Sequence, residues 1–231
     1  MCSRICLSTD LGEISRRFGL GESKIRLRPH WNIGPGHLLP VLRLDALLKW
    51  RRLDLMRWGL IPASAKSPII VRAYLGVLEI NGSLNEAITY PGRRCLIPAD
   101  NFYEWRLADG QPFAVALASR QVMTLGGVWD VWTSPLGERI ACFALLTTET
   151  NDMMAPLCRQ MPVIIQPEDW DLWLGTDTAS ERSLRDLLRP LPSGHFTAWP
   201  ISRRVRNARN DDPKILDAVS TRADDGPAYQ P

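Results

Sequence analysis

Between residues 94 and 165 the chain breaks into six short apolar runs, at 94–97, 102–106, 113–117, 122–128, 140–147 and 162–165, with turn-forming residues between them. Runs of this length are strands rather than helices, and their even spacing predicts a mainly antiparallel sheet that curls into a barrel or sandwich. Residues 53–60 add an apolar strand that ends in the turn Ile61-Pro62, and 196–201 reads as a late strand. Helices are few and short. Thr9 or Asp10 can cap one in which Leu11, Ile14 and Phe18 share a face and Gly19 or Gly21 ends it. Others are expected at 167–174, burying Trp170 and Trp173, and at 180–188, capped by Ser180. Residues 22–40, with Gly34, Pro35, Gly36 and Pro40, read as irregular. No repeat or linker divides the chain. The expectation is an α+β single domain over 1–217, a curled antiparallel sheet with peripheral short helices, followed by a polar, disordered tail at 218–231.

Composition narrows the setting. The 231 residues are 45% hydrophobic and 23% charged, which is ordinary for a globular protein. Five cysteines without a C-x-x-C pair suggest neither a disulfide framework nor a zinc site, and no metal or cofactor is expected. A reducing compartment fits. No leader-like apolar stretch opens the sequence and no run approaches the ~18 apolar residues of a membrane span, so a cytoplasmic location is expected. The net charge of +3 comes from 28 basic residues, nearly all Arg. Arg forks suit phosphate groups. The plainer explanation is a codon bias toward Arg.

Cys2 directly follows Met1. Removal of Met1 would leave an amine and a thiol on adjacent carbons, with ordinary pKa values of about 8 and about 8.5. Such a 1,2-aminothiol traps aldehydes: the amine forms an imine and the thiolate closes on it to give a thiazolidine. Taken alone, Cys2 is more simply an arbitrary second residue.

Several segments together resemble the SRAP (SOS-response-associated peptidase) family, whose members crosslink to abasic sites in DNA. Met1-Cys2-Ser3-Arg4 is similar to its M-C-G-R start, and Asn32-Ile33-Gly34-Pro35 to its N-I-A-P. Trp58-Gly59-Leu60-Ile61-Pro62 matches W-G-L-I-P. The block from Arg94 to Trp105, RCLIPADNFYEW, is close to R-C-L-I-P-A-D-G-F-Y-E-W. Met161-Pro162 falls in an H-x-R-M-P block, and Arg209-Asn210-Asp211 near a C-terminal R-N-D.

The resemblance implies roles position by position. Cys2 is the nucleophile, Glu104 the acid/base carboxyl group, and Asn81 orients the sugar or the Cys2 amine. Thr148 lies near the lesion. Pro35 and Trp105 fall in segments that wedge or stack against DNA. On the residues themselves, Trp58 and Trp105 are the tryptophans expected to stack on bases, and Arg4 and Arg94, with Arg93 and Arg159, are the cations nearest the motifs and the candidates for phosphates. Cys158 replaces the family's catalytic His, Gln160 and Ser83 replace two of its Arg residues, and Asn85 replaces a Glu. His37 is a weak candidate for the lost imidazole, and Cys158 reads as a buried small hydrophobe.

The residues themselves support this chemistry. Opening a closed abasic sugar needs an acid/base, and Glu104 sits in the apolar run between Tyr103 and Trp105, where burial favours its neutral form. The plainer reading of Glu104 is a salt-bridged strand carboxylate. Three functions stay open. One is a DNA-repair monomer of the cytoplasm and nucleoid, active in the SOS response, that binds single-stranded DNA and traps abasic sites. Another is a self-processing N-terminal cysteine peptidase. The last is a degenerate single-stranded DNA-binding module that no longer crosslinks.

Overall fold

The computed structural model describes residues 4–21, 25–45, 47–70, 72–77, 86–89, 91–176 and 179–220. The chain opens with strand β1 (Arg4–Leu7) and helix α1 (Leu11–Arg17). Asp10 caps α1 by accepting from the Gly12 N–H at 2.8 Å, and Gly19 leaves it at φ 68°, as the sequence predicts. β2 (His30–Ile33) and β3 (Leu38–Leu44) follow, then β4 (Arg51–Trp58) and β5 (Tyr74–Gly76). The segment expected to be irregular therefore contains one strand and the start of another. After α2 (Glu86–Thr89) come β6 (Arg94–Ala99), β7 (Asn101–Trp105), β8 (Pro112–Leu117), β9 (Met123–Thr133), β10 (Arg139–Thr148) and β11 (Met161–Pro162). The chain ends with α3 (Trp170–Leu174), α4 (Glu181–Leu187) and β12 (Phe196–Pro200).

Five strands close on themselves in the order β10-β4-β3-β6-β9, with β9 returning to β10. Only β4 runs parallel to its β10 neighbour within this ring. β5 and β11 extend β10 beyond the barrel. A second, wholly antiparallel sheet has the order β12-β8-β7-β1-β2. The α+β single domain with a curled sheet is thus the observed fold.

The barrel is closed tightly enough to specify a glycine. A methyl group on Gly127 would lie 2.5 Å from Ile97 Cδ1 and 2.9 Å from the Ala144 carbonyl oxygen. Gly127→Ala should therefore cost about 1–3 kcal/mol, read as a lower urea midpoint with an unchanged slope. A wild-type midpoint would show that the barrel has room to spare.

α3 covers the barrel with Trp170 and Trp173, both buried. Trp170 meets Phe18 of the α1 C-cap edge-to-face at 4.8 Å. Ser180 caps α4 through the Ser183 N–H. Ala118 and His195 link the loops that flank β8 and β12. Ala218, expected in the tail, instead bridges to Ile201, and the Val219 N–H donates to the Pro200 carbonyl. The rest of the expected tail, 221–231, lies outside the described residues.

Candidate active site

The site is built where the start of the chain meets the β6–β7 corner. β1 pairs with β7 in the register Cys6↔Asn101, Ile5↔Phe102, Arg4↔Tyr103. The corner is fastened by Asp100. Its carboxylate accepts the Ser8 N–H at 2.6 Å, the Ser8 hydroxyl at 2.8 Å, the Thr9 N–H at 3.0 Å and the Thr9 hydroxyl at 2.6 Å. The Asp100 N–H donates in turn to the Cys6 carbonyl.

Side chains alternate along β7. Phe102 joins the main core, whereas Tyr103 turns to a smaller cluster with Cys6, Ile201 and Val205 and donates its hydroxyl to the Trp31 carbonyl at 2.6 Å. Glu104 shares the Phe102 face and is 2% exposed. Burial is the main cause that lifts its carboxyl group from about 4.5 to about 7, with the positive chain terminus pulling partly back. A carboxyl group that is half protonated at neutral pH can both give and take a proton.

Glu104 and Trp105 form one side of an open cleft of about 630 Å³. Leu157, Cys158, Arg159 and Gln160 form the other. Cys158 is 2% exposed, and its thiol is pushed up to about 12, by burial first and then by the Glu104 charge. It contacts the Met154 carbonyl at 3.7 Å and is a neutral wall of the cleft. Cys6, Cys95, Cys142 and Cys158 are all buried free thiols. Among the described residues, no group of three His, Cys, Asp or Glu could hold a metal ion. No helix among them is long and apolar enough to cross a membrane.

The segments that carry the sequence resemblance converge in part. Pro35 is exposed on the turn between β2 and β3. That turn rests on Trp58: the Gly36 N–H donates to the Trp58 carbonyl at 2.7 Å, and the Trp58 N–H to the His37 carbonyl at 2.9 Å. The Arg4 side chain passes over Gly34, 3.3 Å from where a methyl group would sit. Arg4 donates to Asn32 Oδ1 at 3.3 Å. Thr148, 6% exposed, lies in a neighbouring groove that shares Gln160 with the Glu104 cleft.

Two expected DNA contacts are corrected. Trp58 is 0% exposed, stacks on Phe143 and donates its indole N–H to the Ala73 carbonyl, so no ring face is open to a base. It braces the Pro35 turn instead. Arg94 is 1% exposed, and its guanidinium donates inward to the carbonyls of Trp173 and Ile88. It ties α2 and α3 to the barrel and faces no phosphate. Arg93 pairs with Asp130. His37 is exposed and bonds within its own turn, with Nδ1 2.9 Å from the Gly34 carbonyl. Cys2 and Asn81, together with Ser83 and Asn85, lie outside the described residues.

Sequence reasoning passed over the two residues that organise β2. Asn32 donates to the carbonyls of Val205, Asn207 and Asn210. Asp211 accepts the N–H groups of Trp31 at 2.6 Å and Asn32 at 3.2 Å and contacts His30 Nδ1 at 2.7 Å. Burial opposes its ionisation, but these partners outweigh burial and hold the carboxyl group below its ordinary range. The only signal was their place in the two short motifs.

A closed barrel flanked by an antiparallel sheet, with a half-titrating carboxyl group in a cleft beside the first strand, defines an α+β protein with a candidate acid/base site. The chain belongs to the SRAP (SOS response associated peptidase) family, whose model matches residues 1–208. It is 27% identical over 227 residues to the abasic site processing protein YoqW of Bacillus subtilis (strain 168), covering 94% of this chain and 100% of that protein. It is 25% identical over 236 residues to the abasic site processing protein HMCES of Xenopus tropicalis, covering 88% of this chain and 70% of that protein. A crystal structure of a Bacteroides thetaiotaomicron protein has the same fold, with a TM-score of 0.80 at 21% identity over 95% of this chain and 100% of that one.

Proposed function

We propose that this protein processes abasic sites and, more specifically, traps them in single-stranded DNA through Cys2 once Met1 is removed. One observation carries the reading. The buried Glu104 carboxyl group, half protonated at neutral pH, follows directly on Tyr103, the strand partner of Arg4. Covalent geometry keeps the Cα of Cys2 within about 8 Å of the Cα of Arg4. The relatives named as abasic site processing proteins support the same substrate.

The chemistry balances without a redox partner. The closed sugar opens when its anomeric hydroxyl loses a proton and its ring oxygen gains one, and Glu104 exchanges both. The Cys2 amine attacks the freed aldehyde and water leaves, giving the imine. The thiol then adds across C=N: a C–S bond forms and the proton passes to nitrogen. Ring closure protects the strand from the β-elimination that an imine invites. Asn81 orients the sugar or the amine, while Pro35 and Trp105 support the flanking bases. Thr148 stands beside the lesion, and Arg4 and Arg159 meet phosphates. The protein acts as a monomer in the cytoplasm, on DNA of the nucleoid, as part of the response to DNA damage.

The test is a denaturing gel of wild type and Cys2→Ala after incubation with an abasic single strand. Wild type should give a stable adduct, Cys2→Ala essentially none, and intact mass should show Met1 gone. Equal adduct from both proteins would end the proposal. The peptidase reading ranks lower, because removal of a single Met ahead of a Cys needs no protease within the chain itself.

A further inference from the structure

The segment 202–214, SRRVRNARNDDPK, carries five cations against two carboxylates. Both carboxylates are engaged: Asp211 with β2 and Arg28, and Asp212 with Arg204 at 2.8 Å. Arg203, Arg206 and Arg209 are exposed and form no ion pair among the described residues. The segment is nevertheless ordered. Val205 is buried, and its carbonyl, with those of Asn207 and Asn210, is held by Asn32.

Two contacts place this loop against the site. Asn32, which anchors it, also accepts from Arg4. Arg206 donates to the Gly110 carbonyl at 2.6 Å, on the turn that joins β7 to β8 directly after Trp105. In that turn Arg106 neutralises Asp109 through two bonds of 2.9 Å. The Asp109 carboxyl group is lowered first by Arg106, then by the Gln111 N–H, and also by the charge of Arg203. The three guanidinium groups without an ion pair are thus carried on ordered backbone that is tied to Asn32 at one point and to the turn after Trp105 at another.

We propose that Arg203, Arg206 and Arg209 form a phosphate rail that holds the backbone of single-stranded DNA flanking the site in the Glu104 cleft. Exposed guanidinium groups that give up no internal ion pair bind phosphates at little desolvation cost and release counterions as they do. The loop's fixed backbone spares the entropy of ordering it on binding. The rail rests on the function proposed above and extends it from the lesion to the neighbouring strand.

Single-turnover crosslinking tests it on two abasic strands, one of about 4 and one of about 16 nucleotides. The triple variant Arg203→Gln/Arg206→Gln/Arg209→Gln should raise the half-saturating concentration of the longer strand about tenfold. Its log–log salt slope should fall by about 2, since each single-strand phosphate contributes about 0.7. The maximal rate and the behaviour of the short strand should stay at wild type. Arg203→Gln/Arg209→Gln, which keeps the Arg206–Gly110 bond, should lose about two-thirds of that slope and guards against a folding defect. A wild-type slope on the longer strand in folded variants overturns the rail. If wild type crosslinks neither strand, the trapping reading fails, and the same slopes measured on non-covalent binding decide the rail separately.

Discussion

Glu104→Gln is expected to make the protein more stable at pH 8 and a much poorer crosslinker. Its carboxyl group titrates near 4.5 when unfolded and near 7 when folded. Between those pH values the folded chain keeps a proton that the unfolded chain gives up. Stability therefore falls as pH rises from about 4.5 to about 7 and levels off above, at a cost of about 3 kcal/mol. A neutral Gln of the same shape carries no such cost. Urea unfolding at pH 8 should show the variant ahead by up to about 3 kcal/mol, and the advantage should vanish near pH 4. Single-turnover crosslinking at pH 7 should slow at least tenfold, or about 1.4 kcal/mol of barrier. Equal stability differences at both pH values would show that no ionised carboxylate is buried there. An unchanged rate would remove Glu104 from the chemistry.

Asp100→Ala should act in the opposite sense, through structure. Four donors from Ser8 and Thr9 converge on that carboxylate. Charge-assisted bonds are worth more than neutral ones, and stranding the donors adds to the loss. The expected cost is about 3 kcal/mol, with a larger fall in crosslinking rate than the unfolded fraction explains, because β1 loses its anchor. Asp100→Asn, which still accepts from part of the set, should lie between. A loss below about 1 kcal/mol would mean that β1 is held by its strand pairing alone.

The parts legible in sequence were those governed by local rules. Asp10 and Ser180 cap their helices as their side chains dictate, and the runs from 94 to 165 become strands because their period and turn residues agree. β2 was hidden because nothing in His30–Ile33 selects a strand. Asp211 and β1 impose it from distant parts of the chain. Trp58 was misread because a tryptophan that braces a turn and one that stacks on a base look alike in sequence. Arg94 was misread because its acceptors are carbonyls of α2 and α3, which no motif announces. Glu104 was legible because its apolar neighbours foretold its burial. Cys2 and Asn81 lie outside the described residues.

The attachment of β2 to Asn207, Asn210 and Asp211 has a consequence for biosynthesis. A ribosome releases β1 and β2 early, yet the side-chain bonds that anchor β2 join it to residues made much later. Under the proposed function, the nascent chain therefore presents the Cys2 aminothiol before β2, whose Asn32 holds Arg4, is fixed in place. Cellular aldehydes could compete for Cys2 during that interval. Fast closure of residues 205–211 onto Asn32 then becomes a determinant of how much active protein each round of synthesis yields.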